Sequence, residues 1–371
     1  MDGLSALRRP ASPWINLQCS LANPNLALEA ARRGDGSQLP PEGPARVDAR
    51  AQADAWTSGL AAVCITVGHV AGPGDAWQKT SDDLARWRQF LDRPDSPWRQ
   101  VNGTSDLLDS RAAGQVGVVL GFQNTEMLGA DPLRVAHCAA QGVRVMQLTY
   151  NGANAVGCGC LANEDTGLTA LGQAMVEAMN AQGVLIDLSH AGDRTLAEAV
   201  WASRRPVIVS HTGCRALANH PRNLADEDLR RVADAGGVVG LYAMPFLRAA
   251  GKPLLEDLVR HIDHTLQVAG TEHVGVGTDG TLTAVDDVDN YRHFLGEAVR
   301  ARQAAGLATA DEDPEVCLFL PDATGPSQFE RLADALGRAG HGASVVDRVL
   351  GGNALRLFGE VWPGPTTSGQ P

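Results

Sequence analysis

The sequence lacks any apolar run of about eighteen residues, the length that a membrane-spanning helix requires. Residues 1–12 include two arginines, but no apolar segment follows them, so the start of the chain does not resemble a signal peptide. We therefore expect a cytoplasmic protein without a membrane partner. Its first twelve residues, 1–12, are expected to form a flexible leader.

Basic residues are also scarce. Lys and Arg total 31 against 43 Asp and Glu, which gives a formal net charge of -12, and no basic patch is visible. Nucleic-acid binding depends on such patches because they neutralise phosphates. No glycine-rich phosphate-binding fingerprint follows the early apolar runs either. We expect no nucleic-acid partner and no nucleotide-binding fold.

The seven cysteines lack the even number and the spacing of a disulfide-rich or zinc-binding domain. Cys158 and Cys160 form the only close pair in the sequence, and a structural zinc site would need a second pair. We interpret the thiols as reduced. With 44% hydrophobic residues, the chain can bury one large core. We expect a single domain over residues 13–360 and a disordered tail over 361–371, which is rich in Pro, Gly, Ser and Thr.

A short apolar run that ends in Ser-His occurs twice, at 184–190 and at 206–211, with a predicted helix at 194–203 between the copies. Such runs are typical of strands buried on both faces of a parallel sheet. Ligands bind at the carboxyl ends of such strands, so His190 and His211 can converge on one point. Imidazole is the commonest metal ligand, and the pair could form half of a zinc site. The alternative is two hydrogen-bonded histidines that only pack in the mouth of a barrel.

Six other apolar runs, separated by helical spacing, also resemble buried strands. The eight predicted strands cover residues 13–20, 60–67, 116–123, 143–150, 184–190, 206–211, 237–243 and 273–279. Eight strands that alternate with helices favour a (β/α)8 TIM barrel, with an open doubly wound sheet as the alternative. Residues 286–304 and 327–350 are predicted to form added C-terminal helices.

In a barrel, the carboxyl ends of all strands open onto one mouth. The residues predicted to lie there are Gln18, Ser20, Gln123, Tyr150, His190, His211 and Asp279, with Arg222 on the loop after the sixth strand. A buried carboxylate such as Asp279 costs several kcal/mol unless it is paired or binds something, which favours a functional role. With the two imidazoles it could hold one zinc and leave a position for water.

Arg222 suits a substrate carboxylate, because a guanidinium pairs with a carboxylate through two hydrogen bonds. Its spacing is equally compatible with a surface arginine that caps a helix or pairs with Asp226 or Glu227. Tyr150 could donate a hydrogen bond to an oxyanion, or it could be a packing aromatic with a satisfied hydroxyl.

At these residues, over about 14–360, the chain resembles the membrane (renal) dipeptidase family of metallopeptidases. The matching segments are 148–151 with Asn154, 167–172, 184–190, 206–211, 220–224, 236–240, 274–280 and 350–353 with Arg356 and Phe358. The resemblance implies a (β/α)8 barrel of the amidohydrolase-like kind that binds two zinc ions and commonly forms a homodimer. It also implies that His190 and His211 bind one zinc, that Arg222 binds the substrate carboxylate and that Asp279 is the catalytic aspartate.

Other family positions differ in this chain. Gln18-Cys19-Ser20 stands where the family has His-x-Asp, Gln123 stands at the bridging glutamate, and Tyr150 replaces a histidine. These differences remove negative charge and metal donors, so we do not expect a standard binuclear site. At most one metal, zinc, is expected at His190 and His211, with Gln123 or Asp279. The candidates for substrate binding are Arg222, Asn154, Gln123 and Gln18.

Three functions are compatible with these residues. The first is a hydrolase of a small peptide or amide that bears a carboxylate, in which Asp279 is general base and then acid, and Tyr150 polarises the carbonyl. The second is a metal-free isomerase, lyase or condensing enzyme, in which His190, His211 and Asp279 are ordinary acid-base groups. The third is a non-catalytic binding protein. The family resemblance favours hydrolysis.

Overall fold

The structure, a computed structural model, describes residues 12–33, 43–305, 313 and 316–362. The predicted leader 1–12 and tail 361–371 lie outside the described residues except at their inner ends. The strands are β1 (Ile15–Cys19), β2 (Ala62–Thr66), β3 (Trp98–Gln100), β4 (Val116–Phe122), β5 (Val143–Gln147), β6 (Leu185–Asp187), β7 (Ile208–Thr212), β8 (Val238–Leu241) and β9 (Val274–Val276).

Helices follow most of the strands and surround the sheet. They are α1 (Asn25–Arg33), α2 (Ala49–Thr57), α3 (Ala76–Leu91), α4 (Thr104–Ala113), α5 (Leu133–Ala140), α6 (Ala170–Gln182), α7 (Asp193–Ala202), α8 (Asp226–Asp234), α9 (Leu255–Ala269), α10 (Val288–Ala304), α11 (Gln328–Arg338), α12 (Ala343–Asp347) and α13 (Asn353–Val361). In the part of the chain that the structure describes, none of the helices is both long and apolar enough to cross a bilayer.

Eight of these strands form a parallel ring in the order β1, β2, β4, β5, β6, β7, β8 and β9. The ring is nearly closed by backbone bonds between its first and last strands. The amide of Asp279 donates to the carbonyl of Gln18, and the amide of Ser20 donates to the carbonyl of Gly280, both at 2.8 Å. The predicted TIM barrel is therefore confirmed, and the alternative prediction of an open doubly wound sheet is wrong.

Alternate strand residues face either the barrel axis or the surrounding helices, as the period of two requires. On β2, Val63 and Ile65 pack in the large cluster that includes the helices, whereas Ala62 and Cys64 belong to a second cluster. That second cluster also contains Phe358 of α13, which seals the amino-terminal end of the barrel. The opposite end, where the strands finish, holds the predicted site residues.

Strands β5, β6 and β9 each end three residues earlier than predicted, and one short strand was not predicted. Trp98–Gln100 forms β3, a short strand beside β4 outside the ring, which three residues are too few to indicate by periodicity. The predicted strand 184–190 ends at Asp187. The backbone amide of Ser189 donates to the Asp187 carboxylate at 2.9 Å instead of to a neighbouring strand. The chain then turns, and His190 adopts a left-handed backbone with φ of 65°.

Candidate active site

The two histidines of the repeated Ser-His motif meet at the carboxyl ends of β6 and β7. The Nε2 atoms of His190 and His211 lie 2.9 Å apart, and the ring planes are inclined by 64°. Both side chains are buried. Burial and the nearby Arg222 guanidinium hold the pKa of each imidazole well below its usual range. The structure thus places two neutral imidazoles edge to edge, the form in which histidine binds a metal or accepts a proton.

His190 is held from both sides by residues of the loop after β5. Its Nδ1 atom lies 2.5 Å from Oδ1 of Asn151. The ring of Tyr150 stacks on its face, with centroids 4.4 Å apart. The left-handed backbone of His190 is rare for a residue with a side chain and costs about 1–3 kcal/mol, so it persists where surrounding contacts hold it. Asn151 and Tyr150 supply such contacts.

His211 is held by a buried polar cluster beneath the ring pair. Its Nδ1 atom lies 2.7 Å from Oγ of Ser210, and Ser210 lies 2.5 Å from Oδ2 of Asp187. The other Asp187 oxygen accepts from the hydroxyl of Ser189 at 2.7 Å and from the amide of Ser210 at 3.0 Å. Burial raises the pKa of Asp187, while these hydrogen bonds act in the opposite direction. Each serine of the repeated motif therefore contacts the same carboxylate.

Asp279 follows β9 and brings a carboxylate to the histidine pair. Its Oδ2 atom lies 3.9 Å from Nε2 of His211. Burial raises the pKa of Asp279 to about 6, although the charge of Arg222 and a hydrogen bond from Gln123 favour the ionised form. Its backbone is also left-handed, with φ of 56°. Apart from Asp95, His190 and Asp279 are the only described non-glycine residues with positive φ, and both lie at this site.

Arg222 lies on the loop after β7 with only 6% of its surface exposed. One guanidinium nitrogen is 3.5 Å from the carbonyl oxygen of His211. Arg222 does not pair with Asp226 or Glu227, the alternative that its position in the sequence allowed. Asp226 pairs instead with His264, and Glu227 pairs with Arg231, each at 2.7 Å. Within residues 12–33, 43–305 and 316–362, no carboxylate forms an ion pair with Arg222. A buried guanidinium without a carboxylate partner is suited to bind an anionic group.

Gln18 and Gln123 also lie at the mouth, and both contact Asp279. The side-chain amide of Gln18 donates to Oγ1 of Thr66 at 2.7 Å, and the backbone carbonyl of Gln18 accepts from the backbone amide of Asp279. Gln123 hydrogen-bonds the Asp279 carboxylate. Ser20 lies at the exposed rim, where its hydroxyl accepts from the amide of Ala22 at 3.2 Å. These three positions therefore present amides and a hydroxyl rather than charged metal ligands.

Asn154, predicted to contact substrate, is placed differently. Its Nδ2 atom donates to Oδ1 of Asn124 at 2.8 Å and to the carbonyl of Leu148 at 2.9 Å. Its Oδ1 atom accepts from the amides of Val156 and Gly157. Both ends of the side-chain amide are therefore hydrogen-bonded within the protein and hold the loop, and a contact of Asn154 with substrate stays a prediction.

The candidate metal donors at the mouth are the histidine pair and its neighbouring carboxylate. Among the residues that the structure describes, no three His, Cys, Asp or Glu side chains are grouped as a ready metal site. The two imidazoles converge, whereas Asp279 stands 3.9 Å from His211. The arrangement can therefore exchange protons, and it can offer two nitrogen donors to one cation.

Sequence reasoning identified the histidines but not the residues that hold them. Asn151, Asp187, Ser189 and Ser210 stand next to the predicted ligands along the chain or in space. The sequence did contain a signal for Asp187. An aspartate within an apolar strand must find hydrogen-bond donors, which the neighbouring serines supply. Asn151 carried no comparable signal, since it meets His190 across 39 positions of sequence.

Comparison with known sequences gives one family. The model of the membrane dipeptidase family (peptidase family M19) matches residues 45–307. An uncharacterized protein from the pqqA 5′ region of Klebsiella pneumoniae is 31% identical over 301 residues, which cover 78% of this chain and 98% of that protein. An uncharacterized dipeptidase of Schizosaccharomyces pombe is 34% identical over 245 residues, which cover 62% of this chain and 59% of that protein.

Solved structures show the same barrel. An amidohydrolase from Pseudomonas aeruginosa superimposes with a TM-score of 0.76 at 27% identity, covering 95% of this chain and 97% of that one. A metallopeptidase from Rhodobacter sphaeroides, solved with a phosphinate mimic of the dipeptide L-Ala-D-Ala, superimposes with a TM-score of 0.66 over 95% of this chain and 99% of that one. At 18% identity, this second likeness concerns the fold alone.

Proposed function

The chain belongs to the membrane dipeptidase family of hydrolases, and from this membership and the site geometry we propose that it hydrolyses a small, dipeptide-like amide that carries a carboxylate. The observation on which the proposal rests is the grouping of one partly buried acid, two neutral imidazoles and one buried guanidinium at the barrel mouth. The acid and the imidazoles can move protons, and the guanidinium can hold the substrate.

Arg222 is proposed to bind the substrate carboxylate. Its burial and its lack of an ion-pair partner among the described residues leave the guanidinium charge available to a ligand. A carboxylate that binds there would be held within reach of the His211 backbone, because Arg222 already contacts the His211 carbonyl at 3.5 Å. The scissile amide would then lie next to the histidine pair. This geometry favours substrates in which the carboxylate is close to the amide, as it is in a dipeptide.

Asp279 is proposed to be the general base and then the general acid. A pKa of about 6 leaves most of the carboxylate ionised at neutral pH, ready to accept a proton from the attacking water. The same value allows the acid form to return that proton to the leaving amine. Gln123 fixes the carboxylate through a hydrogen bond, so that its free oxygen can face the reacting water.

Tyr150 is proposed to bind the carbonyl oxygen as negative charge develops on it. Its ring stacks on His190 at a centroid distance of 4.4 Å, which places it over the histidine pair. A phenol hydroxyl can donate one hydrogen bond to such an oxyanion. Loss of a comparable donor in other enzymes costs roughly a factor of 10² to 10³ in rate.

We propose that the two imidazoles and the neighbouring carboxylate hold one metal ion, zinc. Two neutral imidazoles direct their Nε2 atoms at a common point, and imidazole is a preferred ligand of zinc. His190 and His211 would hold the ion, with Asp279 as the nearest carboxylate. When bound there, a divalent ion would supply Lewis-acid chemistry, which polarises a carbonyl and makes water a better nucleophile at neutral pH.

A second ion does not fit the same residues. Gln18, Ser20 and Gln123 occupy the positions where further ligands would be needed, and none of them has a charge. The amide nitrogen of Gln18 is directed to Thr66, and the side chain of Gln123 is bonded to Asp279. Without added negative charge, a second divalent ion next to Arg222 would be repelled.

We propose that the protein forms a homodimer, as the family resemblance led us to expect. Trp201 on α7 supports association, because 86% of its surface is exposed and a second copy could cover it. Light scattering of the purified protein and of Trp201→Ser measures the oligomeric state directly. The cytoplasmic location remains a prediction.

The proposed activity is tested with a panel of dipeptides and the matching dipeptide amides, using purified protein supplied with zinc. We expect hydrolysis of at least one free dipeptide and at least a tenfold lower kcat/KM for its amide, since the amide cannot pair with Arg222. If neither class is hydrolysed, while another carboxylate-bearing metabolite is isomerised or eliminated without metal, the proposal is wrong.

A further inference from the structure

The hydrogen atoms around the histidine pair can be assigned from the contacts of Ser210. Its hydroxyl has one proton and three possible acceptors: Oδ2 of Asp187 at 2.5 Å, Nδ1 of His211 at 2.7 Å and Oγ of Ser189 at 3.1 Å. The carboxylate is the strongest and nearest acceptor, so the proton points to Asp187. His211 must then donate its own Nδ1 proton to the Ser210 oxygen.

Asp187 stabilises this direction of the Ser210 hydroxyl. Its carboxylate accepts four hydrogen bonds, from the amide and hydroxyl of Ser189 and from the amide and hydroxyl of Ser210. Three of these bonds reach Oδ1, two of them from backbone amides that can only donate, and such bonds favour the ionised form of the carboxylate. An ionised Asp187 has no proton to give to Ser210. The Nδ1 proton of His211 is therefore required by its surroundings.

Asn151 fixes the other imidazole in the same way. The atom that lies 2.5 Å from Nδ1 of His190 is Oδ1 of Asn151, and the thiol of Cys160 also points at this oxygen, at 3.7 Å. A thiol is a weak donor, so its neighbour acts as an acceptor. Nδ1 of His190 therefore has a proton, which it donates to Asn151.

With both protons on Nδ1, both Nε2 atoms present lone pairs. These two lone pairs face each other at 2.9 Å, a distance at which they repel unless positive charge lies near them. A metal ion or a shared proton would relieve the repulsion. The contacts around the two rings thus preorganise the site for a cation, even though the chain lacks the family's carboxylates at positions 20 and 123.

We propose that Asn151 and Ser210, the latter supported by Asp187, are positioning residues that hold His190 and His211 in the Nδ1-protonated tautomer and so create a two-nitrogen cation seat. The inference rests on the proposed function, because it explains how one zinc could bind there. Residues of this kind around other metal sites change metal affinity by about 10- to 100-fold.

The tautomers are measured by nitrogen-15 NMR of histidine-labelled, metal-free protein at pH 8. We expect protonated Nδ1 atoms on both rings, with Nε2 unprotonated or sharing one proton. A persistent Nε2 proton with a bare Nδ1 on either ring would overturn the proposal. This measurement does not depend on turnover. It therefore tests the tautomer assignment independently of the proposed hydrolysis.

Zinc affinity, measured by competition with a chelating dye, tests the roles of the two positioning residues. Asn151→Asp keeps only acceptor atoms and should bind zinc within about threefold of the wild type, whereas Asn151→Leu should lose at least tenfold. Equal losses in Asn151→Asp and Asn151→Leu would mean that Asn151 donates through its nitrogen, which contradicts the proposal.

Ser210→Ala and Ser189→Ala are a matched pair of variants that test the hydrogen bonds around His211. Both remove a hydrogen bond to Asp187, but only Ser210 contacts His211 Nδ1. We expect at least a tenfold loss of zinc affinity for Ser210→Ala and less than threefold for Ser189→Ala. Circular dichroism melting verifies that both variants are folded, and equal affinities of the two would overturn the assigned role of Ser210.

Discussion

Asp279 Oδ2 lies 3.9 Å from His211 Nε2, too far for a direct hydrogen bond and close enough for both atoms to contact one small group. That separation is the basis for assigning Asp279 as the proton carrier. We predict that Asp279→Asn lowers kcat by about 10²- to 10⁴-fold, the usual contribution of a general acid-base group. Steady-state kinetics measure this loss. Asp289→Asn is the control, because the Asp289 side chain is 92% exposed on α10, and an equal loss there would contradict the assignment.

The same substitution should make the protein more stable at neutral pH. The pKa of Asp279 is about 6 in the folded protein, above the ordinary value of 3.8, so folding takes up a proton between these values. The free energy of unfolding therefore falls as the pH rises from 4 to 6, by on the order of 2 kcal/mol. Asp279→Asn removes that cost, so urea unfolding at pH 7.5 should show higher stability than the wild type. At pH 4 the two proteins should be nearly equal, and a destabilised variant at pH 7.5 would contradict the prediction.

The pH dependence of kcat/KM should show one acidic limb set by Asp279. Activity requires the ionised carboxylate, so it should rise with pH and reach half its maximum near pH 6. In Gln123→Glu the carboxylate would lose a hydrogen-bond donor and gain a negative neighbour, and both changes raise its pKa. The limb of that variant should therefore move to higher pH. If the acidic limb of Gln123→Glu lies at the same pH as in the wild type, Gln123 does not influence the pKa of Asp279.

Arg222 should affect substrate binding more than the chemical step. We predict that Arg222→Gln raises KM for a free dipeptide at least tenfold, because a buried bidentate pair with the carboxylate is lost. The corresponding dipeptide amide should be hydrolysed equally well by the wild type and the variant. Arg194→Gln is the surface control, since the side chain of Arg194 is 62% exposed. A loss of the same size with both substrates would place Arg222 outside the carboxylate site.

The barrel could be predicted from sequence because parallel strands buried on both faces are written as continuous apolar runs. Most of the strands are shorter than the predicted runs, and β7 ends one residue later than predicted, at Thr212. The sequence did not predict β3, because Trp98–Gln100 is short and polar at two of its three positions. The end of β6 could not be predicted, since it depends on Asp187 replacing a backbone partner of Ser189.

Part of the site was also readable in the sequence. The repeated Ser-His motif predicted that His190 and His211 meet, because equivalent ends of neighbouring parallel strands lie side by side. The roles of Asn151 and Asn154 could not be read, since both belong to one loop and only the direction of each side chain separates them. Asn151 turns toward His190, and Asn154 turns toward Asn124 and Leu148.

Titration of metal-stripped protein with zinc, followed by the rate of dipeptide hydrolysis, tests the central claim most directly. If His190 and His211 hold the one catalytic ion, the rate should rise from near zero and level off at one equivalent of zinc. A rate that levels off only at two equivalents, or that is already maximal below about a tenth of an equivalent, would contradict the account.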